Sequence, residues 1–149
     1  MNLDTNVDLD VLGTGPGGTD LRDYLQMCTG VDHTQLSAEY MRLPADYAFW
    51  NEKYAAVYAT YQKRKSYTEQ TKSRRKMELR EVLISTGDRV SEARLDSEVA
   101  HDDEYVSARL LEIEAEAKVK YLYGVLDVLR TKRDMLISLG AHQRAEMSM

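Results

Sequence analysis

The sequence predicts an all-α protein: a long helical hairpin with short N-terminal helices, assembling into a helical homo-oligomer. Helix-breaking residues are scarce, because the 149 residues include only eight Gly and two Pro. Five of these ten lie within residues 13–18, which leaves the rest of the chain almost free of breakers. Apolar residues recur at alternating spacings of three and four over long stretches, which is the period of one helix face.

The N-terminal residues predict a different behaviour from the rest of the chain. We expect residues 1–19 to form a flexible acidic, Gly-rich arm, and residues 20–149 to form a single helical domain. Asp20 is a suitable N-cap for a short helix that ends near Cys28, before Gly30. Asp32 or Thr34 then opens another short turn of helix.

The first long helix is expected over residues 44–86. Pro44 is acceptable at a first helical position, and Gly87 is a natural C-terminal stop. Its aromatic and aliphatic residues are spaced as the a and d positions of a heptad, and a seam about 60 Å long exceeds what one partner helix covers. We therefore expect an oligomer seam formed by Tyr47, Trp50, Tyr54, Val57 and Tyr61.

A brief helix capped by Ser91 should follow, and then a second long helix over residues 102–139, ending before Gly140. Acidic residues near the start of this helix suit the positive end of its dipole. The apolar stripe expected to face the first long helix comprises Val106, Leu110, Ile113, Ala117, Leu122, Val125, Leu129, Leu136 and Leu139.

Composition excludes several classes of protein. No apolar window approaches the roughly 18–20 residues of a membrane span, so we expect no membrane partner. The acidic start does not resemble a secretory signal peptide, and a single cysteine, Cys28, forms no internal disulfide. These features predict a cytoplasmic protein.

Motifs for catalysis or cofactor binding are incomplete. Gly13-x-Gly15-x-x-Gly18 matches a dinucleotide fingerprint, but no βαβ unit follows, and a linker is the better interpretation. Glu98-x-x-His101 and Glu78-x-x-Glu81 each lack the second ligand pair that a helix-bundle metal site requires. We therefore predict no catalytic residues, no metal and no cofactor.

The remaining signal is a basic segment at residues 63–80, in which eight bases face two acids, a net charge of +6. Cations that track phosphates, combined with rings on which bases stack, are typical of single-stranded nucleic-acid binding. Because the acidic stretches lie elsewhere in the sequence, we expect this segment not to be neutralised within the chain. The candidate DNA-binding residues are Tyr58, Lys63, Arg64, Lys65, Tyr67, Lys72, Arg74, Arg75 and Lys76. The alternative is a solvated face, or a partner surface for the acidic residues 112–116.

The order of these features over residues 34–147 resembles phage recombination mediators of the UvsY type. A short acidic lead-in precedes a Trp-bearing helix start at residues 46–53, and a long helix with a basic middle follows. A Gly-containing turn, an acidic insert and a long closing helix complete the pattern. The ending, with residues 132–141, also resembles small phage proteins from recombination gene sets.

This resemblance implies a non-enzymatic accessory factor in the cytoplasm of a bacterial host. Such mediators bind single-stranded DNA as homo-oligomeric rings of roughly six or seven copies. They loosen the single-strand-binding protein and help to load the recombinase, so both proteins are implied partners. The DNA-contacting basic segment of the family corresponds to Lys72, Arg74, Arg75 and Lys76.

A competing class is a coiled-coil adaptor, structural protein or virion chaperone that does not bind nucleic acid. It needs the same heptads and the same self-association, but its basic segment faces an acidic protein partner. A metal-dependent helical hydrolase is a third class, but the chain has only half of the metal ligands that such an enzyme needs.

Overall fold

The computed structural model describes residues 12–149. Within these residues the chain forms helices and no strand, so the all-α prediction is confirmed. The four α-helices are α1 (Leu21–Thr29), α2 (Leu36–Thr86), α3 (Glu92–Ala100) and α4 (Asp103–Met147).

Short polar side chains and a glycine fix several helix ends. The Asp20 carboxylate accepts hydrogen bonds from the backbone N–H groups of Arg22 and Asp23, at 2.8 and 3.1 Å, and so caps α1. Ser91 caps α3 by accepting from the N–H of Arg94. Gly87 follows α2 with a φ of +76°, a left-handed conformation that favours glycine. The structure confirms the predicted caps at Asp20 and Ser91 and the predicted stop at Gly87.

Both long helices extend beyond their predicted bounds. α2 begins at Leu36 rather than at Pro44, which lies inside the helix, and α4 continues past Gly140 to Met147. Leu36 and Leu43 before the proline and Trp50 after it are buried, so tertiary packing holds the turns on either side of Pro44. Gly140 does not end α4, because it lies against the Tyr40 ring and is followed by good helix formers.

The predicted arm falls partly outside the described residues, which begin at residue 12. Of the described part, Leu12 is buried, and its carbonyl oxygen accepts a hydrogen bond from Lys53 Nζ at 3.0 Å. A short 3-10 turn follows at Pro16–Gly18. Residues 1–11 carry most of the acidic arm, and that prediction lies outside the described residues.

The helices form two compact units. The terminal unit comprises residues 12–56 and 120–149, where α1 and the first part of α2 pack against the second part of α4. Its core is apolar around Trp50, which is fully buried and stacks on Tyr24 with ring centroids 5.9 Å apart. The other large buried side chains of this core include Leu21, Cys28, Leu122, Leu129 and Leu136.

The middle unit comprises residues 57–119 and contains the second part of α2, α3 and the first part of α4. Its interior uses small and polar residues: Thr68 Oγ1 donates to the carbonyl of Ala108 at 3.2 Å, and Thr71 and Ala115 are buried. α3 contributes Leu95 and Val99, both fully buried. Small side chains allow the helix backbones to approach closely.

The proposed seam of α2 is used largely within the chain. Trp50 is buried in the terminal unit, where Tyr47 also donates to the carbonyl of Leu126 and the Tyr54 ring lies 6.5 Å from that of Tyr123. In the middle unit, Val57 and Tyr61 are half-buried. These side chains are therefore partly or wholly buried by contacts within one copy of the chain.

The stripe predicted for the first part of α4 was wrong. Val106, Leu110 and Ile113 are 38%, 61% and 47% exposed, whereas Ala108 and Ala115 face the interior. The buried row of this part of α4 lies on the opposite side of the helix, because two residues correspond to a rotation of about 200°. The largest aliphatic side chains thus point outward.

Candidate nucleic-acid interface

The basic segment lies on α2 in the middle unit and divides into two parts with different surroundings. The first part comprises residues 63–67, with one run of three cations, and Tyr58 precedes it on the same helix. The second part comprises residues 72–80, with five cations. α3 and the start of α4 pack against the second part, which decides what its cations can bind.

Every cation of the second part is paired with a carboxylate. Lys76 Nζ lies 2.6 Å from Asp96 Oδ1 and 3.6 Å from Glu92 Oε2, and Lys72 Nζ lies 3.4 Å from the same oxygen of Asp96. Arg80 pairs with Glu92 as well. Two adjacent helices therefore present matching rows of opposite charge.

The two arginines between these lysines reach the start of α4. Arg75 Nε donates to Asp102 Oδ2 at 2.8 Å, and its guanidinium also pairs with Glu78. Arg74 pairs with Glu104. Five cations of residues 72–80 thus pair with five carboxylates, and this set has no net charge.

These pairs shift the ionisation of both partners. The hydrogen bond from Lys76 lowers the pKa of Asp96, and the hydrogen bond from Arg75 lowers the pKa of Asp102. The hydrogen bond to Asp96 raises the pKa of Lys76. The expectation that the basic segment is not neutralised within the chain is therefore wrong for residues 72–80, because the fold brings acidic residues 92–104 onto them.

The first part of the segment differs. Lys63, Arg64 and Lys65 are exposed, and no carboxylate within residues 12–149 lies within ion-pair distance of any of them. Arg64 contributes to a lowered pKa of Glu114, whose main cause is the hydrogen bond from Lys118. The rings of Tyr58 and Tyr67 are 43% and 48% exposed.

The three cations do not share one side of the helix. Lys63 and Lys65 are separated by about 200° around the axis. Tyr67 follows Lys63 by four residues and shares its side, whereas Tyr58 precedes Lys65 by seven residues and shares the other side. Each lysine therefore has one exposed tyrosine on its own face of the helix.

The acidic partners on α3 were missed in the sequence, although a signal was present. Lys72, Lys76 and Arg80 recur every four residues, and Glu92 and Asp96 also lie four residues apart. Rows of opposite charge with the same helical spacing are complementary when two helices pack side by side.

The described residues contain no cluster of side chains suited to a metal ion. No three His, Cys, Asp or Glu side chains of residues 12–149 come together as a metal site would require. In the same part of the chain, no helix is both long and apolar enough to cross a membrane. Comparison with family models, curated proteins and solved structures gives no match to this chain.

Proposed function

We propose that this protein is a non-enzymatic accessory factor that binds single-stranded DNA through Lys63, Arg64 and Lys65. The proposal is based on a difference in ion pairing between two groups of cations on α2. These three cations are exposed and lack ion pairs within the described residues, whereas those of residues 72–80 are all paired. Within the basic segment, a phosphate would therefore meet cations without an ion partner only at residues 63–65.

The rings beside these lysines complete the binding surface. Tyr58 and Tyr67 each offer an exposed face on which a base can stack, and stacking is tolerant of sequence because every base has a π-face. Phosphate contacts fix the strand without reading its sequence. Binding should therefore favour single strands and show little sequence preference.

The more specific role that we propose is recombination mediation, in line with the resemblance to UvsY-type proteins. In that role the protein would help to load a recombinase onto DNA coated by single-strand-binding protein. The contribution of this chain is a DNA contact that requires no cofactor and no turnover.

We further propose that the protein is a homo-oligomer in which a second copy covers the outward side of α4 in the middle unit. Val106, Leu110 and Ile113 follow a heptad spacing and are exposed. In a parallel pairing of two such helices, Arg109 at a g position would face Glu114 at the following e position of the other copy. Each of these groups also pairs within its own helix, Arg109 with Glu112 and Glu114 with Lys118, so the exposed aliphatic spacing carries the proposal and the charges only add to it.

The DNA-binding proposal is tested by fluorescence anisotropy with a labelled single strand at several salt concentrations. Replacing Lys63, Arg64 and Lys65 together with Ala removes three cations and keeps good helix formers. Each lost phosphate contact lowers the slope of log affinity against log salt by about 0.7 for a single strand. We expect weaker binding and a slope reduced by up to about 2.

The matched control replaces Arg22, Arg133 and Arg144 with Ala, which removes three exposed cations from the terminal unit. This variant has the same net charge as the triple variant, so its binding should fall much less. An equal loss of DNA affinity in both variants, or no DNA binding by the wild-type protein, would contradict a site at residues 63–65.

A second candidate function is a coiled-coil adaptor that does not bind nucleic acid. Two observations favour it: the neutral set of ion pairs at residues 72–80, and the exposed aliphatic side chains of α4. It predicts self-association without a salt-dependent affinity for DNA. The same anisotropy experiment therefore separates the two candidates.

A further inference from the structure

α3 places carboxylates on the second part of the basic segment as a bound phosphate chain would. Asp96 is shared by Lys72 and Lys76, and Glu92 is shared by Lys76 and Arg80. Two anionic groups therefore serve three cations along two turns of α2. The arrangement resembles a row of phosphates following a row of cations.

The attachment of α3 does not depend on these carboxylates alone. Leu95 and Val99 are fully buried in the middle unit, and Ser91 caps the helix. Glu92 and Asp96 lie on the outer side, with their side chains 66% and 48% exposed. Ion pairs at this exposure are individually weak and exchange with ions in solution.

We propose that Lys72, Lys76 and Arg80 form a second phosphate-binding surface, which Glu92 and Asp96 of α3 occupy in the free protein. The ligand class is a single-stranded nucleic acid, which reaches these cations only when the carboxylates give way. This inference rests on the proposed function, because it extends the same strand from residues 63–65 toward residue 80 along α2.

The carboxylates compete with the strand because they belong to the same chain. A tethered group meets its partner at an effective concentration of the order of millimolar or more. A strand held at residues 63–65 brings its next phosphates to a similar effective concentration, so these phosphates gain no advantage over carboxylates that are already in contact. The wild-type protein should therefore show a salt slope set by residues 63–65.

The experiment is salt-dependent anisotropy with a labelled single strand and the variant Glu92→Gln, Asp96→Asn. This variant frees three cations and keeps Leu95 and Val99. If all three bind phosphates, the slope of log affinity against log salt steepens by up to about 2. The affinity lost between 50 and 200 mM salt then grows by up to about 20-fold over the wild-type loss.

The matched control is Glu81→Gln, Glu98→Gln, which removes one acid from α2 and one from α3. Neither acid has an ion partner within residues 12–149, so the net charge changes equally and no cation is released. Circular dichroism of both variants checks that the helices persist. The inference predicts a steeper slope only for the first variant.

Two results separate the inference from the proposed function. Binding by the wild-type protein with equal slopes in both variants overturns the inference and leaves residues 63–65 as the site. Absence of binding by all three proteins overturns both. If Glu92→Gln, Asp96→Asn unfolds α3, then Asp96→Asn alone, which retains Glu92, must still steepen the slope relative to Glu98→Gln.

Discussion

The ammonium of Lys132 on α4 lies 2.6 Å from Oε2 of Glu39 on α2, and both side chains are almost entirely removed from solvent. Lys132 also donates to the carbonyl of Cys28 at 2.8 Å. One buried cation thereby connects three helices of the terminal unit. Arg42 contacts the same oxygen of Glu39, at 3.3 Å, and pairs with Asp46 as well.

Replacing Lys132 with Met should destabilise the terminal unit, because Glu39 then remains buried with Arg42 as its ion partner and without its shortest contact. Removing one partner of a buried pair costs about 3–5 kcal/mol when the other charge is left alone, and the remaining pair with Arg42 should keep the loss at or below the lower end of this range. Urea denaturation followed by circular dichroism measures this loss. The double variant Glu39→Leu, Lys132→Met should recover a large part of it, since two apolar residues of similar volume replace both charges.

The ion pairs of the middle unit predict an acid transition. The pKa values of Asp96 and Asp102 are lower in the folded protein than their ordinary value of 3.8. Their contribution to stability is therefore complete well above pH 3.8, and it is lost as the pH falls below 3.8 through the folded values. Amide exchange of α3 should accelerate in this range. In Asp102→Asn the acceleration should be smaller, because one of the two carboxyl groups no longer titrates. A pH profile identical to that of the wild-type protein would contradict a contribution of the Asp102 ion pair to stability.

Self-association should depend on the outward side of α4. Leu110→Glu places a charge at the most exposed of the three aliphatic positions, so the fold of the protomer should be retained and the second copy repelled. Light scattering at tens of micromolar protein should show an oligomer for the wild type and a monomer for this variant. Tyr123→Glu, at an exposed residue of the terminal unit, serves as the control.

Tyr67 should contribute to DNA affinity through stacking rather than charge. Tyr67→Leu keeps an apolar side chain but removes the ring, and loss of a base–ring stack costs about 1–3 kcal/mol per base. Anisotropy should show an affinity reduced by this amount with an unchanged salt slope. An altered slope would instead indicate that the substitution displaced Lys63.

Features controlled by neighbouring residues could be predicted from the sequence. The caps at Asp20 and Ser91 and the stop at Gly87 each depend on a few residues, and all three were located correctly. The extension of α2 across Pro44 could not be predicted. It depends on the burial of Leu36 and Leu43 against other parts of the terminal unit.

The pairing of the basic segment also depends on tertiary register. Lys76 and Asp96 are 20 residues apart in the sequence, and only the packing of α3 on α2 brings them within 2.6 Å. The buried face of the first part of α4 could not be predicted from the sequence for the same reason. Its large aliphatic residues predict a buried stripe, but Ala108 lies inside because Thr68 approaches it closely.

DNA binding at residues 63–65 is tested most directly by lysine acetylation, followed by mass spectrometry, with and without a single-stranded oligonucleotide. We expect DNA to slow the acetylation of Lys63 and Lys65 several-fold and to leave that of Lys72 and Lys76 nearly unchanged in the wild-type protein. Lys120, in the terminal unit, serves as an internal reference. Protection of Lys72 and Lys76 without protection of Lys63 and Lys65, or no protection at any lysine, would show that residues 63–65 are not the DNA-binding site.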